Sequence, residues 1–131
     1  MCDALKILAA DDDPTMGVLL QAVFAPPHQL HWVADGLAAL AAWEASPDFD
    51  VLLLDVEMPG LDGLSLAAEL RRRHGTAVPI VLLTGREDKT SLVQGMDAGA
   101  DDFMVKPVYR EELRVRTRAG ERILRLEAAL E

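Results

Sequence analysis

The feature that most constrains the fold of this chain is a set of short apolar runs that do not alternate with polar residues. Three of them, residues 7–10, 51–54 and 80–83, contain only aliphatic side chains and alanine. A strand with one face in water alternates, whereas a parallel strand covered by helices on both faces is apolar throughout. Two further runs, residues 30–34 and 102–105, complete a series in which runs alternate with stretches that have helix signals. The pattern predicts five strand–helix units.

Units of this kind build a doubly wound α/β fold, a parallel sheet between two layers of helices. A length of 131 residues suits one domain with one core. Helix starts are predicted after Asp13, Asp62 and Asp88, since aspartate is a favoured N-cap, and Pro14 suits a first helical position. Residues 71–75, three arginines, a histidine and a glycine, are typical of a helix end rather than of a nucleic-acid patch.

The charge of the chain is acidic and unevenly distributed. Residues 1–109 hold 7 Lys or Arg against 17 Asp or Glu, and residues 110–131 hold 6 against 5. An acidic body argues against nucleic-acid binding by this domain, which needs a cationic face. The apolar stretches are too short to span a membrane. Without a signal-peptide pattern, and with Cys2 as the single cysteine, we expect a cytoplasmic protein with no membrane association.

Polar residues follow the apolar runs at the end where each predicted strand leaves the sheet. Asp11 and Asp12 follow the first run and Asp55 the third, while Thr84 and Lys106 follow the fourth and fifth. Ligands of open α/β sheets bind outside the carboxyl ends of the strands, so we expect these side chains to meet in one crevice. The repulsion between three carboxylates there must be relieved, either by protonation or by a divalent cation.

A hard cation such as Mg²⁺ suits carboxylate oxygens, with Asp12 and Asp55 as the expected direct ligands. Lys106 would add a point charge and Thr84 a hydroxyl donor, which together describe a pocket for a phosphoryl group. One carboxylate of such a pocket can attack phosphorus and form an acyl phosphate. Asp55 is favoured because it stands alone at its strand end, whereas Asp11 and its neighbour are better placed to hold the ion.

From residue 5 to about residue 120, the chain resembles the receiver domain of two-component response regulators. Four motifs carry the resemblance: residues 7–14, 53–63, 81–85 and 99–107, of which the block from Asp55 to Gly63 is the most specific. The resemblance implies a flavodoxin-like five-stranded parallel sheet of order 2-1-3-4-5 with helices on both faces. It also implies a receiver domain at residues 1–120, followed at residues 121–131 by an extension of the last helix that starts a linker to an output module.

The resemblance further implies that Asp55 accepts a phosphoryl group from a sensor histidine kinase or a phosphotransfer protein. Mg²⁺, for which Mn²⁺ could substitute, would be held by Asp12, Asp55 and the backbone carbonyl of Glu57. Asp11 would act mainly through a metal-bound water. Autodephosphorylation would be the only other chemistry, so we expect a signalling switch rather than an enzyme.

By the same resemblance, Thr84 matches the switch hydroxyl of the family, Lys106 its phosphate-pairing lysine and Phe103 its switch aromatic. An aromatic residue in a strand is equally well read as plain core, and both interpretations of Phe103 stay open. The peptide bond between Lys106 and Pro107 is expected to be cis, as it is in the family. Glu57 and Arg86 flank the mouth of the pocket, where side chains of this family influence how fast the phosphoryl group is lost.

Residues 110–131 contain no proline, and Ala119, Ile123, Leu126 and Leu130 follow a 4-3-4 spacing. The pattern predicts one amphipathic helix of roughly 30 Å, longer than one edge of the sheet requires. We expect a homodimer, through the last helices or through the face from the fourth to the fifth helix. Residues 113–127 resemble the linker that joins receivers to output modules, notably diguanylate cyclases.

Three other functions use similar residues or the same fold. An Mg²⁺-dependent phosphohydrolase with an aspartyl-phosphate intermediate would need a second acid, which Glu57 partly supplies, and a cap for which the chain is too short. A flavin or nucleotide carrier would need a glycine-rich or hydroxyl-rich loop where residues 11–13 are all aspartate. A receiver that has abandoned phosphorylation is disfavoured, because all five pocket residues are present.

Overall fold

The computed structural model describes residues 4–58, 60–75, 79–85, 93–94, 96–106, 109–115 and 117. The strands and helices within them are β1 (Lys6–Ala10), α1 (Pro14–Val23), β2 (Gln29–Val33), α2 (Gly36–Ala45), β3 (Val51–Asp55), α3 (Gly63–His74), β4 (Ile80–Thr84) and β5 (Asp102–Val105). Residues 93–94, 96–97 and 110–115 are also helical. None of the helices in this described part is long and apolar enough to cross a bilayer.

The five strands form one parallel sheet in the order β2-β1-β3-β4-β5, which confirms the predicted flavodoxin-like fold. β1 lies between β2 and β3, so the chain order reverses at β1. Asp11 directly follows β1, and Asp55 is the last residue of the neighbouring β3. The crevice that parallel α/β sheets offer to ligands therefore opens beside these two carboxylates.

The core has two halves, one on each face of the sheet. One half packs β-strand side chains against α2 and α3, and it includes Trp43 and Leu70. The other packs them against α1 and against Leu113 of the last helical segment. Every residue of β3 and β4 is buried, as the unalternating runs predict. Helices on both faces are confirmed.

Aspartate side chains cap the three helices whose bounds are given above. Asp13 accepts a hydrogen bond from the Thr15 N–H at 2.9 Å, and Asp62 accepts one from Ser65 at 2.7 Å. Both were predicted as N-caps. Asp35 caps α2 by accepting a hydrogen bond from the Ala38 N–H at 2.7 Å. This cap was not predicted, because residues 37–43 are apolar all round and show no helical periodicity. The third predicted cap, Asp88, lies outside the described residues.

The end of α3 agrees with the prediction of a helix terminus rather than a nucleic-acid patch. Gly75 follows the helix with φ +65°, a conformation that glycine adopts readily. Arg71 donates from Nε to the Gly99 carbonyl at 2.7 Å and from a terminal nitrogen to Asp101 at 2.8 Å. Arg73 pairs with Glu44 at 2.5 Å. Acidic or carbonyl oxygens therefore already engage these arginines.

Candidate functional site

The predicted site residues come together at the carboxyl edge of the sheet because ladder hydrogen bonds continue past the strand ends. The Asp11 N–H donates to the Val33 carbonyl at 3.1 Å. The Lys106 N–H donates to the Thr84 carbonyl at 2.7 Å. The main chain of Asp11 is therefore held against the end of β2, and that of Lys106 against the end of β4.

Three carboxylates meet in this crevice. One oxygen from each of Asp11, Asp12 and Asp55 lies within 4.8 Å of the others. Asp11 and Asp55 are buried, whereas Asp12 is exposed. The cluster therefore has two carboxylates inside the protein and a third at its mouth.

Lys106 lies between the two buried carboxylates. Its ammonium nitrogen is 3.2 Å from Asp11 Oδ2 and 3.2 Å from Asp55 Oδ1. The Asp55 oxygen also accepts a hydrogen bond from the Glu57 N–H at 3.3 Å, and Asp11 Oδ1 accepts one from the Asp13 N–H at 2.9 Å. Asp11 Oδ2 is fully buried and has the charge of Lys106 beside it, without a donor in hydrogen-bonding geometry among the described residues.

The electrostatic environment of the site opposes two ionised carboxylates. Burial, and then the charge of Asp11, raise the pKa of Asp55 from 3.8 to about 6, although Lys106 and the Glu57 N–H act in the opposite direction. Burial acts to lower the pKa of Lys106, but the two carboxylates outweigh it and the pKa is raised. Lys106 is therefore a permanent cation at neutral pH, and ionised Asp55 remains incompletely compensated.

The donor set fits a divalent cation such as Mg²⁺. All three groups offer carboxylate oxygen, which hard cations prefer. Among the described residues, the buried Asp11 Oδ2 has only the ammonium of Lys106 beside it, at 3.2 Å. Burial and the charge of Asp11 raise the pKa of Asp55, and a bound cation would offset both effects. Glu57 lies on the exposed side of the loop after β3, and its carbonyl as a further ligand stays a prediction.

The two predicted switch residues lie on β4 and β5. Thr84 is buried at the end of β4, next to the strand that carries Asp55, and pairs with Val105 of β5. Phe103 is partly buried and packs against the core half formed with α2 and α3. This contact suits a core residue as well as a mobile aromatic, so the role of Phe103 as a switch stays a prediction.

Some predictions fall on residues that the structure does not describe. Pro107 is one, so the cis peptide after Lys106 stays a prediction. Arg86 and residues 118–131 are others, and with them most of the predicted last helix.

Gly63 belongs to the most specific of the four motifs, and the structure shows why a glycine stands there. A Cβ at this position would lie 2.8 Å from the Asp55 carbonyl carbon and 2.9 Å from Val56 Cα, and closer still to the Asp55 carbonyl oxygen. The Gly63 N–H donates to the Val56 carbonyl at 3.0 Å. The first turn of α3 therefore rests directly on the main chain of Asp55. A glycine after a predicted N-cap is the only sequence signal for this contact.

Known proteins agree with this arrangement. Residues 7–118 match the response regulator receiver domain, and the chain belongs to this family of two-component systems. The transcriptional regulatory protein TcrA of Mycobacterium tuberculosis is 40% identical over 116 residues, which are 88% of this chain and 45% of TcrA. The chain thus spans about half the length of the curated relatives it matches.

Solved receiver domains have the same fold. The receiver domain of the Francisella response regulator 1452 superposes with a TM-score of 0.79 at 26% identity, covering 90% of this chain and 97% of that one. The receiver domain of the sensor histidine kinase PA1611 from Pseudomonas aeruginosa gives a TM-score of 0.81 at 29% identity, covering 90% and 98%. The PA1611 structure has a magnesium ion coordinated in its active-site cleft.

Proposed function

We propose that this chain is a phosphorylation-controlled switch in which Asp55 accepts a phosphoryl group from a phosphohistidine. The donor would be a sensor histidine kinase or a phosphotransfer protein. The observation that carries the proposal is the Lys106 ammonium, 3.2 Å from both Asp11 and Asp55 in a crevice with three carboxylates. Such a group can pair with Asp55 before transfer and with a phosphoryl oxygen afterwards.

In the transfer, an ionised Asp55 oxygen attacks phosphorus, the bond from phosphorus to the imidazole nitrogen breaks, and the imidazole leaves with the bond electrons. Mg²⁺, or Mn²⁺ in its place, would be held by Asp12, Asp55 and the Glu57 carbonyl, with Asp11 acting mainly through a metal-bound water. The ion would neutralise charge on the phosphoryl oxygens. Lys106 supplies a cation close to the attacking oxygen. Thr84, buried on the adjacent strand, would then donate its hydroxyl to the new phosphoryl group.

Phosphorylation would shift an equilibrium between two conformations. Thr84 and Phe103 would couple the state of Asp55 to the conformation of the surface. Apolar side chains are exposed where that surface is expected, on the helical residues 93–94 and 96–97 and on residues 109–115. They are Val93, Met96, Tyr109 and Val115. Pairing of two receivers through this face or through the last helices would bring output modules together.

We propose that the module that carries out the response lies outside this domain. TcrA is a transcriptional regulatory protein of which this chain covers 45%, so a fused output module is consistent with the relatives. A diguanylate cyclase remains the candidate that residues 113–127 suggest. The absence of nucleic-acid binding by the receiver itself rests on its acidic body, and its cytoplasmic location remains a prediction.

The test is incubation with acetyl phosphate and Mg²⁺, followed by intact-mass measurement. We expect a gain of about 80 Da, one phosphoryl group, that is absent without Mg²⁺ and absent in Asp55→Asn. Asp50→Asn is the matched control, because Asp50 accepts a hydrogen bond from the Lys6 N–H away from the crevice and should leave labelling unchanged. Labelling that persists in Asp55→Asn would contradict the proposal. Continuous turnover of a phosphomonoester would instead favour the phosphohydrolase.

A further inference from the structure

The loop between β3 and α3, described at residues 56–58 and 60–62, is contacted near both ends by glycines that begin helices. Gly63 begins α3 and rests on the Asp55 main chain, as described above. Gly36 begins α2, a helix that carries none of the predicted site residues, and it meets the other end of the loop at Leu61.

The contact between Gly36 and Leu61 joins backbone to backbone. A Cβ at Gly36 would lie 3.0 Å from the Leu61 carbonyl carbon and 3.1 Å from Leu61 Cβ, and it would overlap the Leu61 carbonyl oxygen. No flexible side-chain end could move aside, because the overlapping atom belongs to the main chain. A larger residue at this position must therefore displace either the start of α2 or the loop.

The start of α2 is the more firmly held of the two. Asp35 caps the helix through the Ala38 N–H at 2.7 Å, while Ala39 and Trp43 are buried in the core half that α2 shares with α3. The loop is anchored by buried Met58 and by Val56 and Leu61, which are only partly buried, while Glu57 and Gly60 are exposed. A substitution at Gly36 should thus displace the loop rather than the helix.

We propose that Gly36 is a positioning residue for the loop that follows Asp55, and that its contact with Leu61 fixes the path on which Glu57 presents its carbonyl to a divalent cation. This inference rests on the proposed function, because it takes the crevice to be an Mg²⁺ site. The three atoms nearest a Cβ at Gly36 all belong to Leu61, and none to the carboxylate cluster or Lys106. Gly36 acts through Leu61 and the five residues between Leu61 and Asp55.

The test is the Mg²⁺ affinity of Gly36→Ala, measured by calorimetry with MgCl₂ and no phosphodonor. We expect the Mg²⁺ affinity to fall about tenfold, as it does when other residues that orient metal ligands without binding the metal are replaced. Amide resonances of residues 56–58 and 60–62 should shift. At saturating Mg²⁺ the rate of labelling by acetyl phosphate should return close to that of the wild type. Gly75→Ala is the control, since Gly75 has φ +65° and open space around its Cβ, so the variant loses stability but keeps Mg²⁺ affinity.

Wild-type affinity in folded Gly36→Ala would overturn the inference, and so would an equal loss in Gly75→Ala. If Gly36→Ala does not fold, Leu61→Gly tests the same contact by loosening the loop, and unchanged affinity there would also overturn it. Wild-type protein that binds Mg²⁺ but is not labelled would refute the proposed function and leave this inference intact. Failure of the wild type to bind Mg²⁺ would refute both.

Discussion

Ionisation of Asp55 costs the folded protein stability. A carboxylate buried beside Asp11 is easier to protonate in the folded chain than in the unfolded chain, which is why its pKa lies at about 6. The folded state therefore holds the Asp55 proton up to a higher pH than the unfolded state does. Between the ordinary pKa of 3.8 and the folded value, each rise in pH favours unfolding.

We predict that Asp55→Asn stabilises the protein at neutral pH and not at acidic pH. Below about pH 4 Asp55 is protonated in both states and the variant gains nothing from the lost charge. Above pH 6 the full cost of ionisation applies, at most about 3 kcal/mol for the rise from 3.8 to about 6. Urea unfolding of both proteins at several pH values, without Mg²⁺, measures the difference. A difference that does not grow with pH would contradict the assignment, and added Mg²⁺ should reduce it at neutral pH.

Glu57 offers a second prediction at the scale of one residue. Glu57→Ala should change the lifetime of phosphorylated Asp55 several-fold without abolishing labelling, because the exposed side chain flanks the mouth of the crevice while its main chain remains. The decay of the labelled species after removal of donor measures the lifetime. Glu57→Gln separates the effect of charge from that of size, and loss of labelling in either variant would count against the prediction.

At the scale of elements, α3 is tied to the segment before β5 by one side chain. Arg71 bonds Gly99, Asp101 and, at 3.1 Å, the Gly75 carbonyl, and its side chain is only 16% exposed. Asp101 in turn accepts a hydrogen bond from the Ile80 N–H at 2.8 Å, at the start of β4. Arg71 thus joins α3 to the starts of β4 and β5. β4 ends in Thr84, and β5 ends next to Lys106.

Arg71→Ala should lower the free energy of unfolding by about 1–3 kcal/mol, because partly buried carbonyl and carboxylate acceptors lose their donor. Arg72→Ala is the matched control, since Arg72 pairs with Glu69 on an exposed helix face, where ion pairs contribute little. Chemical denaturation of both variants measures the effect. Equal stability of the two variants would show that the Arg71 contacts do not hold the elements together.

The sequence predicted individual elements better than it predicted the contacts between them. The strands were predictable because burial on both faces leaves an unbroken apolar run, as in Val51–Leu54. The Asp13 and Asp62 caps were predictable because a cap is a local signal. The roles of Gly36 and Gly63 were not, because each depends on a close approach between segments that only folding brings together. The sequence predicted that Lys106 lies near Asp11 and Asp55. The distances from its ammonium nitrogen to the two carboxylates could not be predicted, because they depend on the register of the strands.

For the molecule as a whole, the remaining proposal is association of two receivers. We predict that a non-hydrolysable acyl-phosphate mimic shifts the protein towards a dimer, since phosphorylation would favour the conformation whose apolar face pairs. Small-angle scattering with and without the mimic measures it, and strictly monomeric protein in both conditions would refute the dimer.

Met96→Glu separates the two predicted interfaces. Met96 is 49% exposed on the helical residues 96–97, which lie before β5. A carboxylate there should weaken pairing through the face that residues 93–94, 96–97 and 110–115 form in the proposal. Pairing through the last helices would be unaffected. A dimer that survives this substitution would therefore indicate pairing through the last helices, including the extension at residues 121–131.

The strand order has a consequence for the life of the protein in the cell. Asp11 follows the first strand and Lys106 the last, yet their side chains are 3.2 Å apart. A nascent or partly unfolded chain can present Asp11, Asp12 and Asp55 once β1 and β3 have paired, but it lacks Lys106 until β5 has joined β4. Under the proposed function, competence to receive the phosphoryl group would be reserved for chains whose sheet is complete, and the topology itself would suppress signalling by half-folded copies.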